Sequence, residues 1–310
     1  MNLTDINVIK KLCQEYGIYP SKKLGQNFLI DSSVLDKIIK AGELKKDDAI
    51  LEIGPGFGVL TQELFKHVDN LVLIEKDKRL AWFLESEFKQ EKAGNKNLKI
   101  VNDDILNLNF YCHPELVSGF NAKCRNKFGM TGGGYKIISN LPYQITSPVL
   151  WKFLHEDYVG TRRGAFKTSD ACAFKLSLIV LMMQKEVAER IVAQPGKMSV
   201  LSVMCQFYAD CKIVENVGRK NFWPEPDVDS AIIKLKIKNE KLKINEKNFL
   251  KLVKIGFSAK RKMLKNNLSN GLQIPAKEIE NILEDIKLNK KIRAQELSVK
   301  NWVDLYKKIK

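Results

Sequence analysis

The chain has 310 residues and a formal net charge of +16, from 52 Lys and Arg against 36 Asp and Glu. This length allows a full hydrophobic core and predicts one large domain with a smaller one. The positive excess favours a polyanionic partner such as a nucleic acid, although basic proteins without such a partner also exist. No apolar run reaches membrane-spanning length and the first residues lack a signal-peptide pattern, so we expect no membrane association.

The cysteines predict neither a disulfide framework nor a metal site. They stand at positions 13, 112, 124, 172, 205 and 211 and form no Cys-x-x-Cys pair. Cys112, His113 and Cys124 lack a fourth ligand at a suitable spacing, so we expect no metal. Scattered cysteines without a signal sequence favour the reducing cytoplasm, and a monomer is the default expectation.

The first predicted elements are an amphipathic helix over Ile6–Tyr16 and a helix over Ser33–Ala41. Between them, Ser21–Leu29 forms a glycine-bearing loop. We expect this loop to cover a ligand pocket, with Lys22 and Lys23 contacting RNA phosphates.

A strand over Ile50–Ile53 then leads into a turn with glycines at positions 54, 56 and 58, and a helix follows. Glycines let the backbone turn tightly and let a ligand approach the main chain. The third glycine comes one residue too early for the dinucleotide fingerprint, and the Gly-Lys-Ser/Thr of a phosphate loop is absent. The remaining pattern, Glu-x-Gly-x-Gly-x-Gly from Glu52, fits a nucleoside-bearing ligand without a pyrophosphate.

Two further predicted strands end in acidic residues. Leu71–Ile74 leads into Glu75, which lies about 20 residues after the glycine turn and is placed to accept hydrogen bonds from ribose hydroxyls. Leu98–Val101 leads into Asn102, Asp103 and Asp104, placed to contact an adenine ring. Each acid alone fits a solvated loop carboxylate, but these two strand ends, together with the amide of Asn140 at the end of a third strand, favour a ligand site beside the glycine turn.

The tetrapeptide Asn140-Leu141-Pro142-Tyr143 follows another apolar run. The Asn amide oxygen and the carbonyls after it are able to accept both N–H groups of an adenine N6, and the Tyr ring offers a stacking face. A four-residue motif also occurs by chance in unrelated proteins, so an ordinary turn after a strand is the alternative interpretation. The upstream strand ends favour the site interpretation.

Strands and helices alternate along this region, which predicts a mostly parallel α/β sheet. Leu178–Met183 is a further buried strand, and Lys185–Val192 begins a helix. Ile213-Val214 and Ala231–Ile237 predict a late hairpin.

After Lys238 the composition changes, and residues 234–265 hold twelve Lys or Arg against two acids. Apolar residues at helical spacing mark a helix near Phe249–Phe257, and shorter helices follow. Charge alone fits a solvated helix face equally well. RNA docking is the second hypothesis, and its candidate residues are Lys260, Arg261, Lys262 and Lys265.

Five motifs in this order resemble the rRNA adenine N6-dimethyltransferase family: Gln26–Leu29, the glycine turn, Glu75 with Asp104, Asn140–Tyr143 and Asn221–Ser230. The resemblance covers nearly the whole chain. It implies a Rossmann-like, seven-stranded methyltransferase fold over residues 1–238 and a small, all-helical rRNA-docking domain over residues 239–310. It also implies S-adenosylmethionine as methyl donor, and two adjacent adenosines near the 3′ end of small-subunit (16S) rRNA as substrate.

By position in these motifs, the resemblance assigns donor binding to Asn27, Leu29, Gly54, Gly56, Glu75, Asp104 and Asn140. Asn140 and the Leu141 carbonyl would hold the target amine, with Pro142 fixing the turn. Tyr143 and Phe222 would stack on the adenine, although packing beneath the hairpin is the alternative role of Phe222. No general base is expected, because a sulfonium leaving group makes the displacement favourable.

Two stretches, residues 111–135 and 157–174, depart from the family and are predicted to be surface insertions. Two other functions stay open. One is a large-subunit rRNA adenine methyltransferase of the antibiotic-resistance type, and the other is a ribosome-assembly factor whose main role is RNA binding. A DNA adenine methyltransferase is disfavoured, because Leu141 stands where that class usually has proline.

Overall fold

The computed structural model describes residues 1–20, 26–89, 97–108, 134–156, 175–238 and 244–309. Its strands are β1 (Phe28–Leu29), β2 (Ala49–Ile53), β3 (Asn70–Glu75), β4 (Asn97–Asn102), β5 (Gly134–Asn140), β6 (Lys175–Gln184), β7 (Ala209–Val217), β8 (Phe222–Trp223) and β9 (Ser230–Ile237). Seven of them form one sheet in the order β4-β3-β2-β5-β6-β9-β7, and β1 pairs with β8 in a separate ribbon.

The first five strands of this order are parallel, whereas β9 pairs antiparallel with both β6 and β7. The predicted mostly parallel sheet with a late hairpin is therefore confirmed. The central strands read as continuous runs of Val, Ile and Leu because a parallel sheet is covered on both faces.

The helices are α1 (Ile6–Glu15), α2 (Ser32–Gly42), α3 (Val59–His67), α4 (Lys78–Glu87), α5 (Thr146–Trp151), α6 (Lys185–Ile191), α7 (Val200–Tyr208), α8 (Glu246–Gly256), α9 (Leu264–Leu272), α10 (Ala276–Asp285) and α11 (Val299–Ile309). Side chains of α1–α4 pack on one face of the sheet, and those of α5–α7 pack on the other. Within β2, for example, Ile50 faces the first layer while Leu51 and Ile53 face the second.

The helices α8–α11 join the apolar cluster of the second face instead of forming a core of their own. Phe207 of α7 stacks on Phe249 of α8 with ring centroids 4.6 Å apart. Phe249 also meets Tyr306 of α11 edge-on at 5.9 Å. The expected helical C-terminal part is confirmed. The boundary after residue 238 stays a prediction, because residues 239–243 are outside the described chain.

The predicted insertion over residues 111–135 is wrong at its end. Gly134 and Tyr135 belong to β5, because Gly134 pairs with Lys175 of β6 and Tyr135 with Ala49 of β2. The remainder, residues 111–133, and the second predicted insertion, residues 157–174, lie outside the described residues.

Within the described ranges, we find no helix that is long and apolar enough to cross a membrane. The same ranges contain no group of three or more His, Cys, Asp or Glu that could hold a metal ion. Cys112, His113 and Cys124 are not part of them.

Candidate active site

The parallel strands bring the candidate residues to one edge of the sheet. The carboxyl ends of β2 to β6 meet there, because parallel strands all point the same way. The register pairs Glu75 with Asn102 and Asn140 with Met182. The glycine turn, Glu75, Asp104 and the loop after β5 therefore surround one region.

The glycine turn between β2 and α3 is anchored to β3 by a hydrogen bond from Gly54 N to the Ile74 carbonyl, 2.8 Å long. Gly54 and Gly56 have φ of +65° and +61°, a conformation that L side chains rarely adopt. A Cβ on Gly54 would lie 3.4 Å from Cδ of Pro142, and one on Gly56 would lie 3.2 Å from Cε1 of Phe28. The turn therefore lies directly between β1 and the loop after β5.

The carboxyl group of Glu75 is buried at the end of β3. Its Oε2 accepts a hydrogen bond from Gly56 N at 3.1 Å, and its Oε1 accepts one from Asp77 N at 2.8 Å. Burial raises the pKa of Glu75 to about 7, while these N–H groups oppose the rise. Each oxygen keeps acceptor capacity for one more donor, as a ribose diol requires.

Glu52 is a second buried carboxyl group, for which sequence reasoning assigned no role. Thr61 Oγ1 of α3 donates a hydrogen bond to its Oε2 at 2.7 Å. Burial raises the pKa of Glu52 to about 8, with a further contribution from the charge of Glu75. Glu52 thus ties the first turn of α3 to the strand before the glycines. In the sequence, the sign of this structural role was an acidic residue inside an otherwise apolar strand.

Asp104 follows β4, and both of its carboxylate oxygens have partners. Oδ2 forms an ion pair with Lys76 Nζ at 2.8 Å, and Oδ1 accepts a hydrogen bond from Leu106 N at 2.9 Å. The Lys76 ammonium lowers the pKa of Asp104, so this group is ionised at neutral pH. Asn102 Nδ2 donates to the Glu75 carbonyl at 2.9 Å, which fixes the two strand ends relative to each other.

The loop after β5 is anchored on both sides. Leu141 N donates a hydrogen bond to the Met182 carbonyl at 3.2 Å, and the Leu141 side chain is buried. Before the loop, Ser139 Oγ accepts a hydrogen bond from Ile53 N at 2.8 Å. Asn140 between them, the last residue of β5, is half-buried.

Tyr143 begins a short 3-10 turn, and its hydroxyl lies 2.7 Å from that of Ser230 at the start of β9. Burial raises the pKa of Tyr143, so the phenol is neutral at physiological pH. Sequence reasoning included Ser230 in a motif but did not predict this contact, since no local pattern marks a hydrogen bond between distant segments.

The motif around Phe222 meets the N-terminal loop through the ribbon of β1 and β8. Leu29 pairs with Phe222, and Ile30 N donates to the Asn221 carbonyl at 2.9 Å. Phe222 is only 3% exposed and shares its apolar cluster with Leu29. This burial favours the packing role of Phe222. Asn27, just before β1, is half-buried.

Three of the predicted RNA-contacting cations form one exposed turn between α8 and α9. Lys260, Arg261 and Lys262 are exposed, and in the described ranges no ion pair engages them. Lys265 differs, because it is half-buried and its ammonium pairs with Glu280 of α10. Lys265 therefore does not belong to the exposed turn formed by Lys260, Arg261 and Lys262. Lys22 and Lys23 lie outside the described residues.

Sequence comparison matches residues 20–310 to the family described as ribosomal RNA adenine dimethylase. A protein named ribosomal RNA small subunit methyltransferase A from Clostridioides difficile is 37% identical over 97% of this chain and 94% of its own length. A protein of the same name from Dehalococcoides mccartyi is 36% identical over 96% of this chain and 90% of its own length.

Solved structures agree. A dimethyladenosine transferase from Plasmodium falciparum superimposes with a TM-score of 0.66 and 26% identity, covering 89% of this chain and 95% of that one. The 23S rRNA methyltransferase ErmE gives a TM-score of 0.65 at 24% identity, covering 91% of this chain and 99% of that one, and shows the shared fold alone. Because the family match and both small-subunit relatives span nearly the whole sequence, the chain belongs to the ribosomal RNA adenine dimethylase family.

Proposed function

We propose that this protein transfers methyl groups from S-adenosylmethionine to N6 of two adjacent adenosines near the 3′ end of small-subunit (16S) rRNA. One contact supports this proposal most directly. Pro142 lies against Gly54, so the loop that would hold the target amine directly borders the turn that would hold the methyl donor. Methyl transfer requires this proximity, because the amine and the methyl carbon must be aligned at close range.

The choice of the small subunit is supported by the relatives, which are named for small-subunit rRNA and reach 37% identity. The large-subunit alternative is not favoured, because the relatives that are 36–37% identical over nearly the whole chain are named for the small subunit. The expected place of action is the cytoplasm, where the substrate would be the small ribosomal subunit.

The residues around the glycine turn fit S-adenosylmethionine. Glu75 is buried with acceptor capacity left on both oxygens, which suits the ribose hydroxyls, and the positive φ of Gly54 and Gly56 leaves the backbone open to close approach. The other assigned donor contacts are Asn27, Leu29, Asp104 and Asn140. When bound, S-adenosylmethionine supplies an electrophilic methyl group on a sulfonium sulfur.

Asn140 and Leu141 would activate the target nitrogen. An adenine amine is a weak nucleophile, since its lone pair is delocalised into the ring. The Asn140 Oδ1 and the Leu141 carbonyl would accept its two N–H groups, which favours a pyramidal nitrogen and stabilises the positive charge that develops there. The hydrogen bond from Leu141 N to the Met182 carbonyl holds the backbone of this loop against β6. The product ammonium is acidic and releases its proton to water.

Tyr143 would position the base. Its ring would stack on the adenine after the nucleotide leaves its helix, and each such contact is worth about 1–3 kcal/mol in single-strand binding. The hydrogen bond to Ser230 would fix the ring plane relative to β9. Phe222 is buried against Leu29, so we assign it a packing role beneath this site, with stacking on the second face of the adenine as its alternative role.

RNA docking would use the exposed turn of Lys260, Arg261 and Lys262, with Lys22 and Lys23 as further contacts. Phosphate contacts provide affinity that does not depend on the RNA sequence, so this surface would anchor the subunit. The protein loop after β5, Leu141–Tyr143, which we call the target loop, would select the adenosines.

The proposed function is tested by methyl transfer from labelled S-adenosylmethionine to small ribosomal subunits that lack the modification, with large subunits as the control. Nucleoside analysis should find N6,N6-dimethyladenosine on the small subunit alone. Labelling of the large subunit would favour the resistance-type activity. Tight subunit binding without labelling would identify an assembly factor.

A further inference from the structure

Lys76 lies between two acids that the proposed function assigns to the methyl donor. Its backbone directly follows Glu75 at the end of β3, and its ammonium forms an ion pair at 2.8 Å with Oδ2 of Asp104, which follows β4. Glu75 would hold the ribose of the donor, and Asp104 would hold its adenine. The Lys76 side chain therefore reaches from one of these acids to the other, across the place where the nucleoside would bind.

The backbone of Lys76 is held firmly, whereas its side chain has one exposed contact. Asn102 Nδ2 donates hydrogen bonds to the carbonyls of Glu75 at 2.9 Å and of Lys76 at 3.3 Å. These bonds join the ends of β3 and β4. The Lys76 side chain is 68% exposed, and Asp104 is the one acceptor of its ammonium in the described ranges. The remaining N–H groups of this ammonium are therefore left to water.

A second ion pair, between Lys136 of β5 and Asp48, shows how a structural pair of this fold differs. The two groups lie 2.6 Å apart with side chains only 12% and 16% exposed, and the Lys136 ammonium also donates to two backbone carbonyls near the end of α2. An exposed pair contributes little to stability, because water and salt compete for both partners. The pair of Lys76 and Asp104 belongs to this exposed kind, so the fold does not depend on it.

The ion pair occupies the oxygen of Asp104 that a ligand would need. Oδ1 accepts a hydrogen bond from Leu106 N at 2.9 Å, and the Asp104 side chain is only 21% exposed. Oδ2 is therefore the oxygen left for a ligand, and the Lys76 ammonium is already bound there. An adenine amino group and a lysine ammonium are both donors, and an ionised carboxylate only accepts. The two groups thus seek the same acceptor.

We propose that Lys76 competes with the methyl donor for Asp104, and that its ammonium must leave Oδ2 before the adenine amino group of the donor binds there. The exchange reduces the affinity for a donor with a 6-amino group and does not affect a base that lacks one. Lys76 therefore determines how strongly the site prefers adenine. This inference rests on the proposed function and adds to it a residue for which no motif assigned a role.

Calorimetric Kd values of two ligands test this competition without turnover. The first is S-adenosylhomocysteine, the demethylated form of the donor, and the second is its analogue with purine in place of adenine, which lacks the 6-amino group. Lys76→Met keeps an apolar stem of similar length and removes the ammonium. This variant should bind S-adenosylhomocysteine about twofold to fivefold more tightly than the wild type, because an exposed ion pair no longer has to open. Its Kd for the purine analogue should equal that of the wild type.

Lys78→Met is the matched control, because Lys78 is an exposed lysine in the first turn of α4, and no ion pair engages it in the described part of the chain. This variant loses the same charge but no contact of Asp104, so both Kd values should equal those of the wild type. High salt should narrow the difference between Lys76→Met and the wild type, since salt screens an exposed pair.

Equal or weaker binding of S-adenosylhomocysteine by Lys76→Met would overturn the inference, because Lys76 would then not compete with the adenine. The same gain in Lys78→Met, or with the purine analogue, would overturn it too, since net charge would explain the effect. In each of these cases, binding of S-adenosylhomocysteine by the wild type would sustain the proposed use of the donor. A wild type that does not bind S-adenosylhomocysteine would overturn both proposals.

Discussion

The hydroxyl of Tyr143 lies 2.7 Å from the hydroxyl of Ser230, although 87 residues separate the two in sequence. Ser230 is fully buried at the start of β9, and Tyr143 is half-buried in the target loop. The contact fixes the orientation of the Tyr143 side chain through a partner in the sheet. Pre-positioned groups of this kind raise the fraction of encounters in which the reacting atoms are aligned.

Ser230→Ala should reduce kcat/KM for methyl transfer about tenfold, because a half-buried hydroxyl without its partner costs about 1–3 kcal/mol. Tyr143→Phe should cause a similar loss, and the double variant should lose no more than either single variant. Steady-state kinetics on deficient subunits measure this, with the Kd of the methyl donor as an unchanged control. Additive losses would show that the two hydroxyls act separately.

Asn140→Ala should reduce methyl transfer about 10²–10³-fold, as for removal of a preorganised group that stabilises a transition state. Donor affinity should fall only modestly, because Glu75 and the glycine turn would still hold the donor. Single-turnover kinetics and calorimetry separate the two effects. Asn216→Ala, at an exposed position on β7, is the control. Full activity of Asn140→Ala would remove the amide from the mechanism.

Phe222→Leu distinguishes packing from stacking. Leucine retains most of the apolar contact with Leu29 but has no ring face, so a stacking role predicts lower turnover at a loss of thermal stability well below that of the alanine variant. Phe222→Ala should lower stability as well, by about 3–5 kcal/mol for a buried phenylalanine. Thermal unfolding and methyl transfer, measured on both variants, give the answer. Wild-type turnover in Phe222→Leu would leave packing as the only role.

Charge reversal at Lys260, Arg261 and Lys262 should weaken RNA binding and make its dependence on salt shallower. Each lost phosphate contact reduces the slope of log K against log salt by about 0.7–0.9. Lys265→Gln should leave the slope unchanged, because the Lys265 ammonium is already paired with Glu280. Titrations at several salt concentrations test both, and an unchanged slope in the triple variant would place docking elsewhere.

The stability of the fold should decrease with rising pH because of two buried acids. Burial raises the pKa of Glu52 to about 8 and that of Glu75 to about 7, from an ordinary value of 4.5. The folded chain therefore retains protons that the unfolded chain releases. Their contribution is complete below pH 4.5 and is lost as pH rises through 7 to 8.

Glu52→Gln should flatten this slope and be more stable than the wild type at pH 8, by on the order of a few kcal/mol. Urea unfolding at pH 5 and pH 8 measures the difference. Glu85→Gln, at an exposed position on α4, should behave like the wild type. A Glu52→Gln variant with the wild-type slope would contradict the assignment.

The sheet and the strand-end residues were predictable, because each rests on a local pattern. Apolar runs located β2, β3, β4, β5 and β6, and Glu75, Asp104 and Asn140 at the ends of β3, β4 and β5 were assigned to the predicted site. The alternation Ala231–Ile237 likewise predicted β9, which pairs antiparallel with β6 and β7.

The contacts between distant segments were not predictable in this way. The pairing of Lys265 with Glu280 depends on how α9 packs against α10, and charge counting alone left Lys265 in the cationic surface. The burial of Phe222 depends on the ribbon of β1 and β8, whose strands are two residues long and have no recognisable period. The start of β5 at Gly134 depends on its partner strands, because a glycine carries no strand signal of its own.

The apolar cluster shared by the sheet and α8–α11 has a consequence for where on the RNA the protein acts. Leu141 of the target loop and Phe249 of α8 belong to this one packed layer. The exposed turn of Lys260, Arg261 and Lys262 after α8 is therefore held at a constant distance from the target loop that would receive the adenosine. If the subunit docks on that turn as proposed, only the nucleotides at the matching distance would reach the loop, so the architecture would restrict the modified position to a fixed point along the folded RNA.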